Sequence, residues 1–360
     1  KVIVKIFLIN LILMLKFKIG NRSVGKNYPP LIISEIGINH NGSIDLAIHL
    51  ADSAIKAGAE VIKHQTHVID DEMSEEAKKV IPGNAKISIY EIIKKCSLNE
   101  KDEKKLAGYI RSKKRIFIST PFSRAAADRL AKFNVPAFKI GSGECNNYHF
   151  VKYLCKFKKP IIMSTGMNSI KSIKRSVNII LKKKIPLALL HCTNIYPTPA
   201  KLVRLNCITE LKEAFPQCIV GISDHSENNY TSLGAVALGA DILEKHYTDT
   251  KKRVAPDISS SMDFNDLKNL IKGANDIFLA RGGKKKALKQ EKKTIAFAFP
   301  SVVALQDLTP GMKLTYKNIF LKRPGGGDFG INDLNNLYGK TVVKRVKQNT
   351  QIKKNCIRYS

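Results

Sequence analysis

Between Leu31 and Thr248, short apolar runs rich in β-branched residues alternate with amphipathic stretches of helical length. That is the βαβα pattern of a parallel sheet covered by helices. The runs are 31–36 (LIISEI), 60–65 (EVIKHQ), 115–120 (RIFIST), 137–142 (AFKIGS), 160–165 (PIIMST), 187–193 (LALLHCT), 219–224 (IVGISD) and 241–247 (DILEKHY). Eight such runs predict a closed (β/α)8 TIM barrel, a unit of about 250 residues. In the helical stretch 45–57, Leu46, Ile48, Leu50, Ala54 and Ile55 leave a polar face; Asp45 is the expected N-cap, and Gly58 closes the helix. Residues 67–100 are too long for a simple connection and predict an insert over the barrel mouth.

Polar residues stand where the runs end. In order come Glu35 with Asn39 and His40, Lys63 with Gln65, Thr120, Lys139 with Ser142 and Glu144, Ser164, Asn194 with Tyr196, Asp224 with His225, and Glu244 with His246. A Ser or Thr there is usually a cap, and a lone Lys usually reaches for water. Eight in phase instead describe a site, because barrel enzymes place their chemistry at the C-terminal strand ends. His225 and His246 end adjacent strands, about 4.8 Å apart, so both imidazoles reach one ion. With oxygen ligands from water or substrate, Mn2+ suits such a site better than structural Zn2+ does, Mg2+ and Co2+ being alternatives. Lys63 and Lys139, with the hydroxyls of Thr120, Ser142 and Ser164, suit an anion carrying both phosphate and carboxylate, such as phosphoenolpyruvate. Gly141 and Gly143 would let backbone N–H groups approach that anion.

The remaining chain divides simply. Residues 1–25 read as an N-terminal extension, 26–280 as the barrel, 281–294 (RGGKKKALKQEKKT) as a charged linker and 295–360 as a small β-rich unit. The last is marked by SVVAL, KLTYKNIFL and KTVVKRV between Pro310–Gly311 and Gly325–Gly327. The opening KVIVKIFLINLILMLKFK looks like a signal core or anchor. Lys5 and Asn10 interrupt it, it falls short of about 20 apolar residues, and no small-residue cleavage site follows. Met14 opens a segment that reads as a soluble start, so residues 1–13 are expected to be foreign to the native chain and the compartment cytoplasmic. Seven cysteines without a C-x-x-C pair argue for buried thiols, not disulfides. The net charge of +31 would attract polyanions. Yet lysines such as Lys101, Lys104 and Lys105 mix with Glu100, Asp102 and Glu103, and no nucleic-acid motif accompanies them. Neither a nucleic acid nor a membrane is an expected partner.

SEIGINHNG (34–42), VIKHQTH (61–67), FISTPF (117–122), FKIGSGECNN (138–147), STGMNS (164–169), HCTNIYPTP (191–199), GISDHS (221–226), EKHYTD (244–249) and KRPGGGDFG (322–330) together resemble the bacterial sialic acid synthases. The resemblance runs from about residue 16 to the end. It implies a barrel followed by a SAF (antifreeze-like, β-clip) domain, and condensation of phosphoenolpyruvate with open-chain N-acetylmannosamine to give N-acetylneuraminate and phosphate. A diacetamido-trideoxy sugar, leading to N,N'-diacetyllegionaminate, is the alternative acceptor; a non-catalytic carbohydrate- or polyanion-binding module is the rival reading.

By resemblance, Glu35 and Glu144 are candidates for proton transfer. Phosphoenolpyruvate is held by Lys63, Thr120, Lys139, Ser142, Ser164 and Asn194, the metal by His225 and His246, and the sugar by Gln65, Asn84, Tyr196 and Asp257. The resemblance also implies a domain-swapped homodimer, in which Arg323 reaches the partner's sugar N-acetyl group and Phe297 packs nearby. Ala255-Pro256-Asp257, where relatives have Gly-Pro-Asp, and Pro300 depart from the pattern on the sugar side.

Overall fold

The structure, a computed structural model, describes residues 15–82 and 86–358. The chain divides into two compact units, with the boundary after Gly282.

The first unit opens on an antiparallel hairpin, β1 (Lys16–Ile19) and β2 (Arg22–Gly25). Eight parallel strands follow: β3 (Leu31–Gly37), β4 (Val61–Thr66), β5 (Ile116–Pro121), β6 (Phe138–Ile140), β7 (Ile161–Ser164), β8 (Leu187–Cys192), β9 (Ile219–Asp224) and β10 (Ile242–His246). They close in sequence order, with β10 pairing β3. All eight apolar runs of the sequence are barrel strands.

The period-two alternation of a strand sorts each run into two sets. Ile32, Ile62, Phe117, Phe138, Ile161, Leu189, Val220 and Leu243 belong to the large apolar cluster shared with the surrounding helices. The alternate set begins with Ile33, Val61, Ile118, Ala137, Ile162, Ala188, Ile219 and Ile242, which form a second, separate apolar cluster. Phe17, Ile19 and Val24 of the hairpin complete that cluster. Residues 16–25, set apart from the barrel in the sequence reading, are thus packed into its base. Two residues further along the same set, the side chains turn polar: Glu35, Lys63, Thr120, Lys139, Ser164 and Glu244 are all buried. The functional layer therefore lies directly above an apolar floor.

Local chemistry fixes the connections. The helix Ile44–Lys56 is capped by Ser43, whose Oγ accepts from the Leu46 N–H at 3.2 Å. Asp45, expected as the cap, instead stands in the first turn, where a carboxylate favours the helix dipole. Gly58 ends it at φ +110°. The 67–100 insert carries a short helix, Ile69–Glu72, a 3-10 turn, Glu75–Lys79, and the helix Ile89–Cys96 with a Ser88–Glu91 capping box. Asn84 lies outside the described residues, as do residues 1–13. All seven cysteines are free thiols. Among the described residues, no helix is long and apolar enough to cross a membrane.

The second unit pairs β11 (Ser301–Ala304) with β12 (Ile319–Lys322) and β13 (Thr341–Val342) with β14 (Ile357–Arg358), both antiparallel. Val302, Leu308, Leu314, Leu337, Val342 and Ile357 give it a core of its own. Within 281–294, read as a linker, a 3-10 turn forms at Lys289–Glu291, and the helix Lys292–Ala298 begins.

Candidate active site

Strand register sets the neighbours. Glu35 stands beside His246 on one side and Lys63 on the other, Gln65 beside Thr120, and Glu244 beside Ser223. The backbone then bulges between Glu35 and Gly37. Gly37, at φ +51°, brings its backbone close to three polar groups: an added Cβ would lie 3.2 Å from Glu35 Oε1, 3.3 Å from Gln65 Nε2 and 3.4 Å from Asp257 Oδ2.

Two buried ammonium groups share the floor of a cavity of about 150 Å³. Lys63 Nζ lies 2.7 Å from Glu35 Oε2, donates to Thr120 Oγ1 at 2.9 Å, and stands 3.9 Å from Glu244 Oε1. Lys139 Nζ donates to Ser164 Oγ at 2.7 Å and to the Ile140 carbonyl at 3.0 Å, and lies 3.6 Å from the same Glu244 oxygen. Burial opposes charge on all of these groups. For Glu35 burial is the largest single influence and pushes the carboxyl up, but Lys63 and His246, together with hydrogen bonds from Lys63 and Gln65, outweigh it and hold the carboxyl down at about 2. Burial likewise works against the Lys63 ammonium, but Glu244 and Glu35 more than offset it, so its pKa is raised. Lys139 has only Glu244 close by, and burial lowers it.

The opposite wall is aromatic. The His225 and His246 rings lie 5.4 Å apart, and Tyr196 stacks on His225 at 4.0 Å with its edge to His246. Burial pushes His225 down to about 3, so its imidazole is neutral. Its Nδ1–H donates to the Thr193 carbonyl at 3.0 Å, which leaves the Nε2 lone pair for a ligand. His246 Nδ1 is buried with no hydrogen-bond partner, 3.4 Å from Asp257 Oδ2. The neutral imidazole of His225 beside the orphaned nitrogen of His246 fits a divalent ion. No group of three His, Cys, Asp or Glu among the described residues is arranged to hold one, so the further ligands would be oxygens from water or substrate.

Ser142 and Asn194 meet around Gly166. Ser142 Oγ accepts from the Gly166 N–H at 3.0 Å, and a Cβ on Gly166 would fall 1.9 Å from Asn194 Oδ1. Only glycine leaves room for that amide.

Of the residues singled out in the sequence, Glu35, Lys63, Gln65, Thr120, Lys139, Ser142, Ser164, Asn194, Tyr196, His225 and His246 all line this cavity. Asp257 stands behind His246, its carboxyl raised by burial. Glu144 is not among the lining residues; it accepts from Asn147 Nδ2 at 2.6 Å, and burial raises it. Phe297 and Arg323 belong to the second unit, Phe297 exposed on its helix. Glu244 has no role in the sequence reading, yet it is the anion between both lysines. The signal was its place two residues before His246, on the same face of β10.

The model of the NeuB family matches residues 50–286, and that of the SAF domain residues 299–358. The N,N'-diacetyllegionaminic acid synthase of Campylobacter jejuni is 36% identical over 90% of this chain and 98% of its own length. The pseudaminic acid synthase of the same organism is 32% identical over 92% and 96%. The crystal structure of the N-acetylneuraminic acid (sialic acid) synthetase of Leptospira borgpetersenii superposes with a TM-score of 0.71 at 30% identity, covering 78% of this chain and 95% of that one.

Proposed function

This chain belongs to the NeuB family, and from that premise we propose that it condenses phosphoenolpyruvate with open-chain N-acetylmannosamine, giving N-acetylneuraminate and phosphate. The observation that carries the reading is the pair of buried ammonium groups, Lys63 and Lys139, facing the imidazoles of His225 and His246 across one cavity. Two cations on a dry floor match a ligand with two anionic groups. A second reading, favoured by the 36% identity to a legionaminic acid synthase, takes 2,4-diacetamido-2,4,6-trideoxymannose as the acceptor.

In this reading Lys63, Lys139, Thr120, Ser142, Ser164 and Asn194 bind the phosphate and carboxylate of phosphoenolpyruvate. Gln65, Tyr196, Asp257 and Asn84 hold the sugar with its aldehyde beside the enol carbon. His225 and His246 would hold a divalent ion, Mn2+ by preference, which when bound would supply Lewis acidity toward the aldehyde oxygen. The enol carbon bonds to C1 of the sugar, and water adds to C2 of the former phosphoenolpyruvate. Glu35, held as a carboxylate, accepts a proton from that water. The C1 oxygen gains a proton in return, and the C2–O bond to phosphate breaks as the C2 hydroxyl becomes the carbonyl, its proton leaving with the phosphate. Lys63 and Lys139 balance the charge that leaves with it.

The family premise extends to the second unit, a SAF domain. We take it to cover the barrel of a partner copy in a homodimer, with Arg323 at the sugar N-acetyl group and Phe297 beside it. Phosphate release from phosphoenolpyruvate, measured in parallel with N-acetylmannosamine, N-acetylglucosamine and the diacetamido sugar, decides the acceptor. No release with any of them would refute the synthase reading.

A further inference from the structure

His67, one residue beyond β4, was given no role in the sequence, yet it is buried and held from three sides. Its Nδ1 lies 2.8 Å from Glu72 Oε2, its ring stacks on Phe122 at 4.5 Å between centroids and 9° between planes, and its Nε2 lies 3.3 Å from Gln65 Oε1. Gln65 in turn donates from Nε2 to Glu35 Oε1 at 3.0 Å. Donor and acceptor roles along this chain are forced. An ionised carboxylate only accepts, so the amide nitrogen of Gln65 must face Glu35 and its carbonyl oxygen must face His67. That oxygen also only accepts, so His67 Nε2 carries a proton. The imidazole thus bridges the Gln65 carbonyl on one side and the Glu72 carboxyl on the other.

We propose that His67, clamped by Glu72 and Phe122, is a positioning residue that anchors the carbonyl end of the Gln65 amide while Glu35 holds its NH2 end. So held, Gln65 directs its NH2 group to Glu35 and keeps one N–H for a ligand in the cavity it lines. The sugar end of the site thus offers a donor and selects an acceptor oxygen of the substrate. Released from His67, the amide is held by Glu35 alone and swings about that one bond, so its free N–H is no longer aimed. The inference rests on the synthase reading, in which Gln65 meets the sugar.

His67→Phe keeps the stack on Phe122 and removes both ring nitrogens. The expected result is a sugar KM raised about tenfold, with the phosphoenolpyruvate KM within about twofold of wild type, because one orienting hydrogen bond is lost on one substrate only. Glu72→Gln retains a polar partner for Nδ1 and should leave the sugar KM near wild type, whereas Glu72→Leu should raise it several-fold. Thermal unfolding of each variant reports whether the barrel is intact; if His67→Phe does not fold, the Glu72 pair carries the test. An unchanged sugar KM in the folded variants, or a parallel rise for both substrates, overturns the inference. A wild type that releases no phosphate with any sugar sinks the synthase reading and this inference with it, whereas an active wild type beside an indifferent His67→Phe sinks this inference alone.

Discussion

Glu35 Oε2 and Lys63 Nζ stand 2.7 Å apart at the ends of adjacent parallel strands, both side chains almost wholly withdrawn from water. Removing one partner of such a pair leaves an uncompensated charge. Lys63→Met is expected to cost about 3–5 kcal/mol of stability, read from urea unfolding at neutral pH. The wild type should show the matching pH signature. Glu35 is held at about 2, below its ordinary value of 4.5, so its stabilisation is complete above pH 4.5 and drains away as pH falls toward 2. In Lys63→Met that acid-side decline should largely vanish.

Asp241 has the opposite sign. Burial pushes its carboxyl up to about 6 despite Lys212 and Arg281, and its Oδ1 is buried without a hydrogen-bond partner. Folding favours the protonated form, so this contribution is greatest below the ordinary value of 3.8 and is lost as pH rises through 6. Asp241→Asn should therefore stabilise the protein by about 1–2 kcal/mol at pH 8 and leave it unchanged at pH 3.5. Paired thermal scans at the two pH values give the comparison.

Gly166→Ala places a methyl group 1.9 Å from Asn194 Oδ1 and 2.9 Å from Ser142 Oγ. Something must move, and both neighbours belong to the proposed phosphoenolpyruvate subsite. The expected outcome is a phosphoenolpyruvate KM raised more than about tenfold, with a smaller loss of stability, of about 1–3 kcal/mol.

Exhaustive chelation should abolish phosphate release, and added Mn2+ should restore it. His246→Ala should weaken metal binding by at least about a hundredfold in calorimetry, a readout independent of turnover. Full activity of this variant under strict chelation would remove the ion from the mechanism.

If the site is completed by a second copy, Arg323→Ala and Glu35→Gln, each inactive alone, should recover partial activity when co-refolded as mixed dimers. No recovery would argue for a site built within one chain.

The barrel was legible in the sequence because its strands are short β-branched runs whose polar residues fall in phase at one end. The lysines and histidines could be picked out for the same reason: a buried ammonium or imidazole at a strand end has few structural uses. Glu244 was seen only as one of the polar residues in phase at the strand ends; its part as the anion between Lys63 and Lys139 shows once β10 closes the ring. Glu144 was picked for its place in KIGSGE, but the 3-10 turn at Ser142–Glu144 leads its carboxylate to Asn147. The sequence does not reveal where one turn of helix will aim a side chain. Ser43 outcompeted Asp45 as a cap for a similarly local reason, the reach of a hydroxyl to the Leu46 N–H.

The hairpin of β1 and β2 turns the barrel into a blind well. With Phe17, Ile19 and Val24 packed into the apolar cluster at the lower end, the cavity beneath the strand tips is closed from below. In the proposed reaction a ligand seated against Lys63 and Lys139 on that floor is expected to enter first, an order that product-inhibition patterns would check.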